Sequence, residues 1–258
     1  MKVKEALFGS FKMLKEKPKF ILPMILPIII GAGIGGGLSL AAGVPINTTG
    51  KIADLPGWYL LSIFVLVILI FVVSILVYGM YPSMVKDHIE KKELNLKTSF
   101  LFACHKFWSL LGASLLAILI IFGICLAISF AVIVPLTLSN IPIATTIGTI
   151  IMMIVMSLII VFFYYIPPAI IMDDLKAVAG FGRSWEAGKK NYLFTLLIYL
   201  IPSLIGGVIY GLLIWLPAYL GAGISYIFIL LIPYVIIYLF IGTWTVIIQA
   251  YAYYGLRA

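Results

Sequence analysis

Four stretches of this chain contain no Asp, Glu, Lys or Arg: Phe20 to Gly50, Leu55 to Val85, Phe107 to Met172 and Asn191 to Leu256. A membrane-spanning helix needs about 20 apolar residues, so the first two stretches hold one span each and the last two hold two each. The pattern predicts six transmembrane helices near Phe20 to Ala42, Trp58 to Tyr81, Phe107 to Val134, Ile143 to Ile166, Tyr192 to Leu216 and Ile224 to Ala250. With 64% hydrophobic and 10% charged residues, the chain lies far from a soluble domain, where about a quarter of residues are charged. The fold class is therefore all-α, a polytopic membrane helical bundle formed as one integral membrane domain over residues 1–258.

Charge placement sets the expected topology. Turn-prone segments at Gly43 to Gly57, Pro135 to Pro142 and Pro217 to Gly223 join the members of each hairpin, and only Lys51 and Asp54 are charged there. The other 16 of the 17 Lys and Arg residues fall on the opposite side, which places both termini in the cytoplasm of a cell-membrane protein. The net charge of +8 thus reads as a topology signal. It does not indicate nucleic-acid binding, because the basic residues are dispersed over several connections. No cleavable signal peptide is expected, since the first apolar segment is long enough to span. Cys104 and Cys125 read as small core residues.

A serine-aromatic pair precedes each predicted hairpin. Ser10-Phe11, Ser99-Phe100 and Ser184-Trp185 are spaced by 99−10 = 89 and 184−99 = 85 residues, and Pro82 and Pro167 each lie 17 residues ahead of the following serine. This predicts three parallel repeats, about 1–82, 83–167 and 168–258, each a short interfacial elbow helix followed by a helical hairpin. In the first elbow Val3, Leu7, Phe11 and Leu14 fall at helical spacing, with Lys12 opposite and Lys4 and Lys15 at the margin. In the third, Leu175, Val178, Phe181 and Trp185 do the same. Lys12, Lys15, Lys189 and Lys190 are candidate contacts to anionic lipid headgroups. The elbow serines read as structural, either capping a helix or bonding to a neighbouring hairpin.

The segment Pro167-Pro168, Asp173, Gly180, Arg183-Ser184-Trp185, Gly188, Asn191 and Phe194 resembles the signature stretch of a group of prokaryotic six-helix membrane proteins. That group is similar to the membrane domain fused to some glycerophosphodiester phosphodiesterases. The resemblance implies a membrane domain without settled activity, and the soluble phosphodiesterase part has no counterpart here. Mitochondrial carriers also use three two-helix repeats, but their Pro-x-acidic-x-x-basic motif is missing at Pro82 and Pro167.

Few residues carry chemistry. Asp173 and Asp174, with Arg183, form a candidate functional or ion-pair cluster at the end of the fourth span, against which stands an exposed acidic pair capping the next helix through its dipole. Structural roles are favoured for them. Tyr199, Tyr210, Tyr234, Tyr238 and Gln249 can line a polar pocket, or simply satisfy one another within the bundle. Gly31-x-Gly33-x-x-Gly36 lacks the strand a dinucleotide fingerprint needs, and its glycines, with Gly207 and Gly211, instead permit close helix packing. Pro23, Pro27, Pro202 and Pro233 can kink their spans. His88 and His105 have no metal-ligand spacing, so no metal site, cofactor or catalytic residue is predicted. Asn47-Thr48-Thr49 is a formal glycosylation sequon.

No charged residue lies in the middle of a span, which disfavours a strongly ion-coupled pump. The first functional reading is a protein that binds or moves a neutral, lipidic or amphiphilic molecule. The alternative is a non-transporting scaffold whose basic elbows bind anionic lipids or a partner protein. An intramembrane enzyme ranks last. A homo-oligomer or partner subunit is compatible with all three.

Overall fold

The computed structural model describes residues 1–41, 56–135, 144–219 and 224–257. Among them the regular elements are all helical, and five helices are long and apolar enough to cross a membrane: Gly57–Ile89, Phe107–Ile133, Thr146–Met172, Tyr192–Ile209 and Val235–Arg257. A shorter apolar helix covers Pro18–Gly31. The chain is a multi-pass membrane protein. The sequon and the charged Lys51 and Asp54 lie outside the described residues, as do most of the three hairpin turns.

Three short helices each precede a hairpin. Helix α1 (Val3–Glu16) leads into an apolar run made of a 3-10 turn (Pro18–Ile21), α2 (Leu22–Ile28), a π-helical segment (Ile29–Ile34) and α3 (Gly35–Ala41), followed by α4 (Gly57–Ile89). Helix α5 (Leu96–His105) precedes α6 (Phe107–Ile128), α7 (Ala144–Ile159) and α8 (Ile166–Met172). Helix α9 (Ala177–Lys190) precedes α10 (Tyr192–Tyr219) and α11 (Ile224–Arg257). Pro23 sits in the first turn of α2, where its missing N–H is harmless, whereas Pro27 lies inside α2 just ahead of the π-helical segment.

The inner layer consists of α4, α8 and α11, which touch one another pairwise. A buried tyrosine accompanies each in the core: Tyr81 of α4, Tyr165 immediately before α8, and Tyr253 of α11. Around them Met84, Val85, Ala169, Met172, Ile247 and Ala250 fill the end of the bundle where the short helices lie. Each short helix packs against the second helix of the hairpin before it, α5 on α4 and α9 on α8, while α1 returns to α11 at the other end of the chain. The many exposed apolar residues on α4, α6 and α10 are what a bilayer solvent requires.

What the short helices bury is small. Ser10, Ser99 and Ser184 are all fully buried, because the backbone of each helix must approach its neighbour closely. On α9 the buried face is Gly180, Ser184 and Gly188, and a Cβ at Gly188 would stand 2.6 Å from the Val161 carbonyl oxygen. Val178, by contrast, is 75% exposed. The serines lie within their helices and cap none of them; Asn95 caps α5, accepting from the N–H groups of Lys97 and Thr98. Gly31 and Gly35 face Ile70 and Leu66 of α4 and serve packing within the chain, whereas Gly33, Gly37, Gly207 and Gly211 face nothing within 4 Å among the described residues, so the close packing expected there does not hold.

Candidate functional site

The fourth span does not run through as one helix. After α7 it tightens into a 3-10 turn (Ile160–Phe162) and restarts at Ile166, with Pro167 and Pro168 in the first turn of α8. Two successive prolines remove two backbone donors, which strands the carbonyls of Phe163 and Tyr164 four residues earlier. Pro82 removes only one, and α4 continues through it.

The stranded carbonyls and several neighbouring groups find partners nearby. Ile166 N–H donates to the Phe163 carbonyl, and the Gln249 side-chain amide of α11 donates to the Tyr164 carbonyl. The Ser184 hydroxyl donates to the Phe162 carbonyl at 2.9 Å and accepts from Tyr165 N–H at 3.1 Å. Tyr192 donates its hydroxyl to the Leu158 carbonyl. Non-helical backbone at membrane depth is tolerated when it is satisfied in this way. The Tyr165 and Thr195 hydroxyls add a further buried hydrogen bond of 3.0 Å.

The break walls a partly open cavity of about 460 Å³ among all three hairpins. Tyr78 of α4, Ser114 and Ala117 of α6, Phe163, Tyr164 and Pro167 at the break, Tyr199 of α10, and Thr245 and Gln249 of α11 line it. A second cavity of about 350 Å³ lies between α10 and α11, bounded by Ser203, Gly207 and Tyr238, and shares Gly242 and Thr245 with the first. Neither has a charged residue in its lining. Several hydroxyls are already engaged: Ser203 donates to the Tyr199 carbonyl and Thr245 to the Ile241 carbonyl. Tyr164 differs. It is 7% exposed, and its hydroxyl has no hydrogen-bond partner among the described residues.

The structure thus puts Tyr199 and Gln249 in the larger cavity and Tyr238 in the smaller one, while the side chains of Tyr210 and Tyr234 lie outside those described. Sequence reading missed Tyr164. Its only signal was the adjacent proline pair, which marked a break without showing which ring would face the space it opens.

The Asp173 cluster lies where α8, α9 and α11 meet. Tyr253 donates its hydroxyl to Asp173 at 2.5 Å, Arg257 Nε stands 2.9 Å from the other carboxylate oxygen as an ion pair without hydrogen-bond geometry, and Arg183 Nε is 3.6 Å away. Asp174 instead pairs with Lys106 at 2.5 Å, and that ammonium holds the carboxyl below its usual range. The expected capping role does not hold for either residue. Helix α9 starts at Ala177, with no side-chain cap and no acidic residue in its first turn, because the chain turns away at Asp174, whose φ is 56°. Nothing in the local pattern marked Lys106, Tyr253 or Arg257 as partners, since they lie far away along the chain, Lys106 at the start of the same hairpin and the other two on α11.

Among the elbow aromatics, Trp185 stacks on Phe162 at 4.3 Å and Phe11 meets Phe240 and Trp244 edge-on. Phe100 is 40% exposed. Trp244 donates its indole N–H to Ser10 at 3.1 Å. Lys12, Lys15, Lys189 and Lys190 are all exposed. Among the described residues no group of three or more His, Cys, Asp or Glu is placed to hold a metal ion.

The family model for a domain of unknown function, DUF7847, matches residues 1–250. Neither a curated protein nor a solved structure matches the chain. By the extent of the family match, the chain belongs to the DUF7847 family.

Proposed function

We propose that this DUF7847 member binds a neutral amphiphilic molecule in the cavity at the break of the fourth span. One observation carries the reading: the Tyr164 hydroxyl is buried without a partner beside a space of ligand size. A buried hydroxyl left unsatisfied costs about 1–3 kcal/mol, and ligand pockets typically measure about 300–1,000 Å³ with mainly apolar walls and a few fixed polar groups. A ligand acceptor at Tyr164 would satisfy the hydroxyl. The uncharged lining selects against a charged head, which would be desolvated there without a counter-ion.

In this reading the three elbow-and-hairpin units are copies of one parallel repeat closed into a ring, α1 completing it on α11. The positive-inside rule puts their elbow end, and both termini, on the cytoplasmic side of the cell membrane. The resemblance of Pro167 to Phe194 to phosphodiesterase-associated membrane domains fits a lipid-like ligand and adds no catalytic group.

Native mass spectrometry of gently extracted protein tests the proposal. An adduct of discrete mass retained by the wild type and reduced in Tyr164→Phe is the expected result. Equal retention by the two proteins, or no adduct in either, overturns it.

A further inference from the structure

At the elbow end, away from the uncharged cavities, a third cavity of about 530 Å³ lies between α1, the C-terminus of α4 and α11. Lys12 and Lys17 approach from the first elbow, Lys91 and Lys92 from the turn after α4, with Glu16 the one acidic residue in the wall. The lining charge is therefore 4−1 = +3 with His88 neutral. Its internal pairing is incomplete. Glu16 lies 3.8 Å from Lys12 and 3.9 Å from His88, and Glu90 engages Lys92 at 2.5 Å. Lys17 and Lys91 have no ion-pair partner among the described residues.

Two local features hold this geometry. Lys91 has φ 55°, and the turn closes with Lys91 N–H on the His88 carbonyl and Lys92 N–H on the Asp87 carbonyl. This is the helix ending in which glycine usually takes the left-handed position, so a lysine there sacrifices backbone stability and gains a charge at the cavity. Gly9 lets the Tyr251 ring form the opposite wall, since a Cβ there would come within 2.7 Å of it. Phe8 on the same helix is 66% exposed, as expected of a ring resting in the bilayer interface.

We infer that this cavity is a binding site for a phosphate-bearing anion, formed jointly by the first elbow and the turn after α4. Unpaired ammonium groups gathered around one hollow repel each other, and a phosphate oxygen group relieves the repulsion while accepting from several of them. A phospholipid headgroup or a free phosphate supplies that chemistry equally.

The test uses the full chain reconstituted in phosphatidylcholine nanodiscs. Thermal unfolding is followed during titration with phosphatidylglycerol in the discs, and separately with inorganic phosphate in solution. The variants are Lys17→Gln/Lys91→Gln, Lys91→Gly, which relaxes the left-handed turn and should fold at least as well, and Lys190→Gln as a basic elbow outside the cavity. A thermal shift with phosphatidylglycerol alone, weakened about tenfold in apparent affinity by the double variant and by less in Lys91→Gly, assigns the site to a lipid headgroup. A shift with inorganic phosphate showing the same losses assigns it to a free phosphate. No shift with either ligand, or a loss in Lys190→Gln equal to that of the double variant, overturns the inference.

Discussion

The Gln249 side-chain amide donates to the Tyr164 carbonyl, the acceptor that Pro168, four residues on, cannot serve because it has no N–H. A polar residue in an otherwise apolar stretch of α11 thereby repairs a defect that a proline created in another hairpin. Gln249 and Tyr164 both line the larger cavity, so this hydrogen bond lies in the wall of the candidate site.

Gln249→Leu leaves that carbonyl buried and unpaired, and it should lower stability by about 1–3 kcal/mol in detergent unfolding experiments. In the Pro168→Ala background the backbone regains its own donor, so the same substitution should cost clearly less. Equal losses in the two backgrounds would show that Gln249 acts through something other than the stranded carbonyl.

Ser99 and Ser184 occupy corresponding places in the second and third elbows and are equally buried, yet among the described residues only the Ser184 hydroxyl has hydrogen-bond partners. Ser184→Ala removes two hydrogen bonds from the break and should destabilise by about 1–3 kcal/mol. Ser99→Ala removes an unsatisfied hydroxyl and should be neutral or stabilising. Thermal unfolding of the two variants side by side reads the order, and the reverse order would contradict the partner assignment.

On α9, Gly188 faces the Val161 carbonyl at 2.6 Å from where a Cβ would sit, while Gly182 has nothing within 4 Å. Gly188→Ala should push the helix off the break and cost about 1–3 kcal/mol. Gly182→Ala should stabilise by up to about 1 kcal/mol, because alanine is the better helix former. Expression level and unfolding temperature in detergent should therefore move in opposite directions for these two.

Asp174 lies outside the spans and its pairing with Lys106 lowers its proton affinity. A carboxyl whose folded pKa is depressed contributes stability above the unfolded value, near 4, and loses it as pH falls through the folded value. Asp174→Asn, which tolerates the left-handed turn, should thus be less stable than the wild type at neutral pH, with the gap closing in acid. A gap of constant size down to about pH 3 would contradict the pairing.

The helical class and the approximate spans were legible because charge-free length is a local property of the chain. The elbow serines stood out for the same reason, through spacing and charge. Their partners were not, since Ser10 is reached by Trp244 and Ser184 by the backbone of Phe162 and Tyr165, and no periodicity reports which helix lies alongside. The buried face of α9 was not legible, because hydropathy picks out Val178, Phe181 and Trp185, whereas a tight helix contact selects Gly180, Ser184 and Gly188.

A multi-pass helical protein with its basic residues concentrated toward one end follows from the order of residues alone, because a bilayer demands uncharged runs of fixed length and repels ammonium groups from its interior. Which groups those residues meet came from the packing of the helices. It brought Asp173 to Arg257 and Tyr253, Asp174 to Lys106, and the first elbow to the last helix. It also left the Tyr164 hydroxyl without a hydrogen-bond partner among the described residues, beside a hollow. Such outcomes depend on which surfaces meet across distant segments, and a stranded donor or acceptor is satisfied by whatever side chain the packing carries to it.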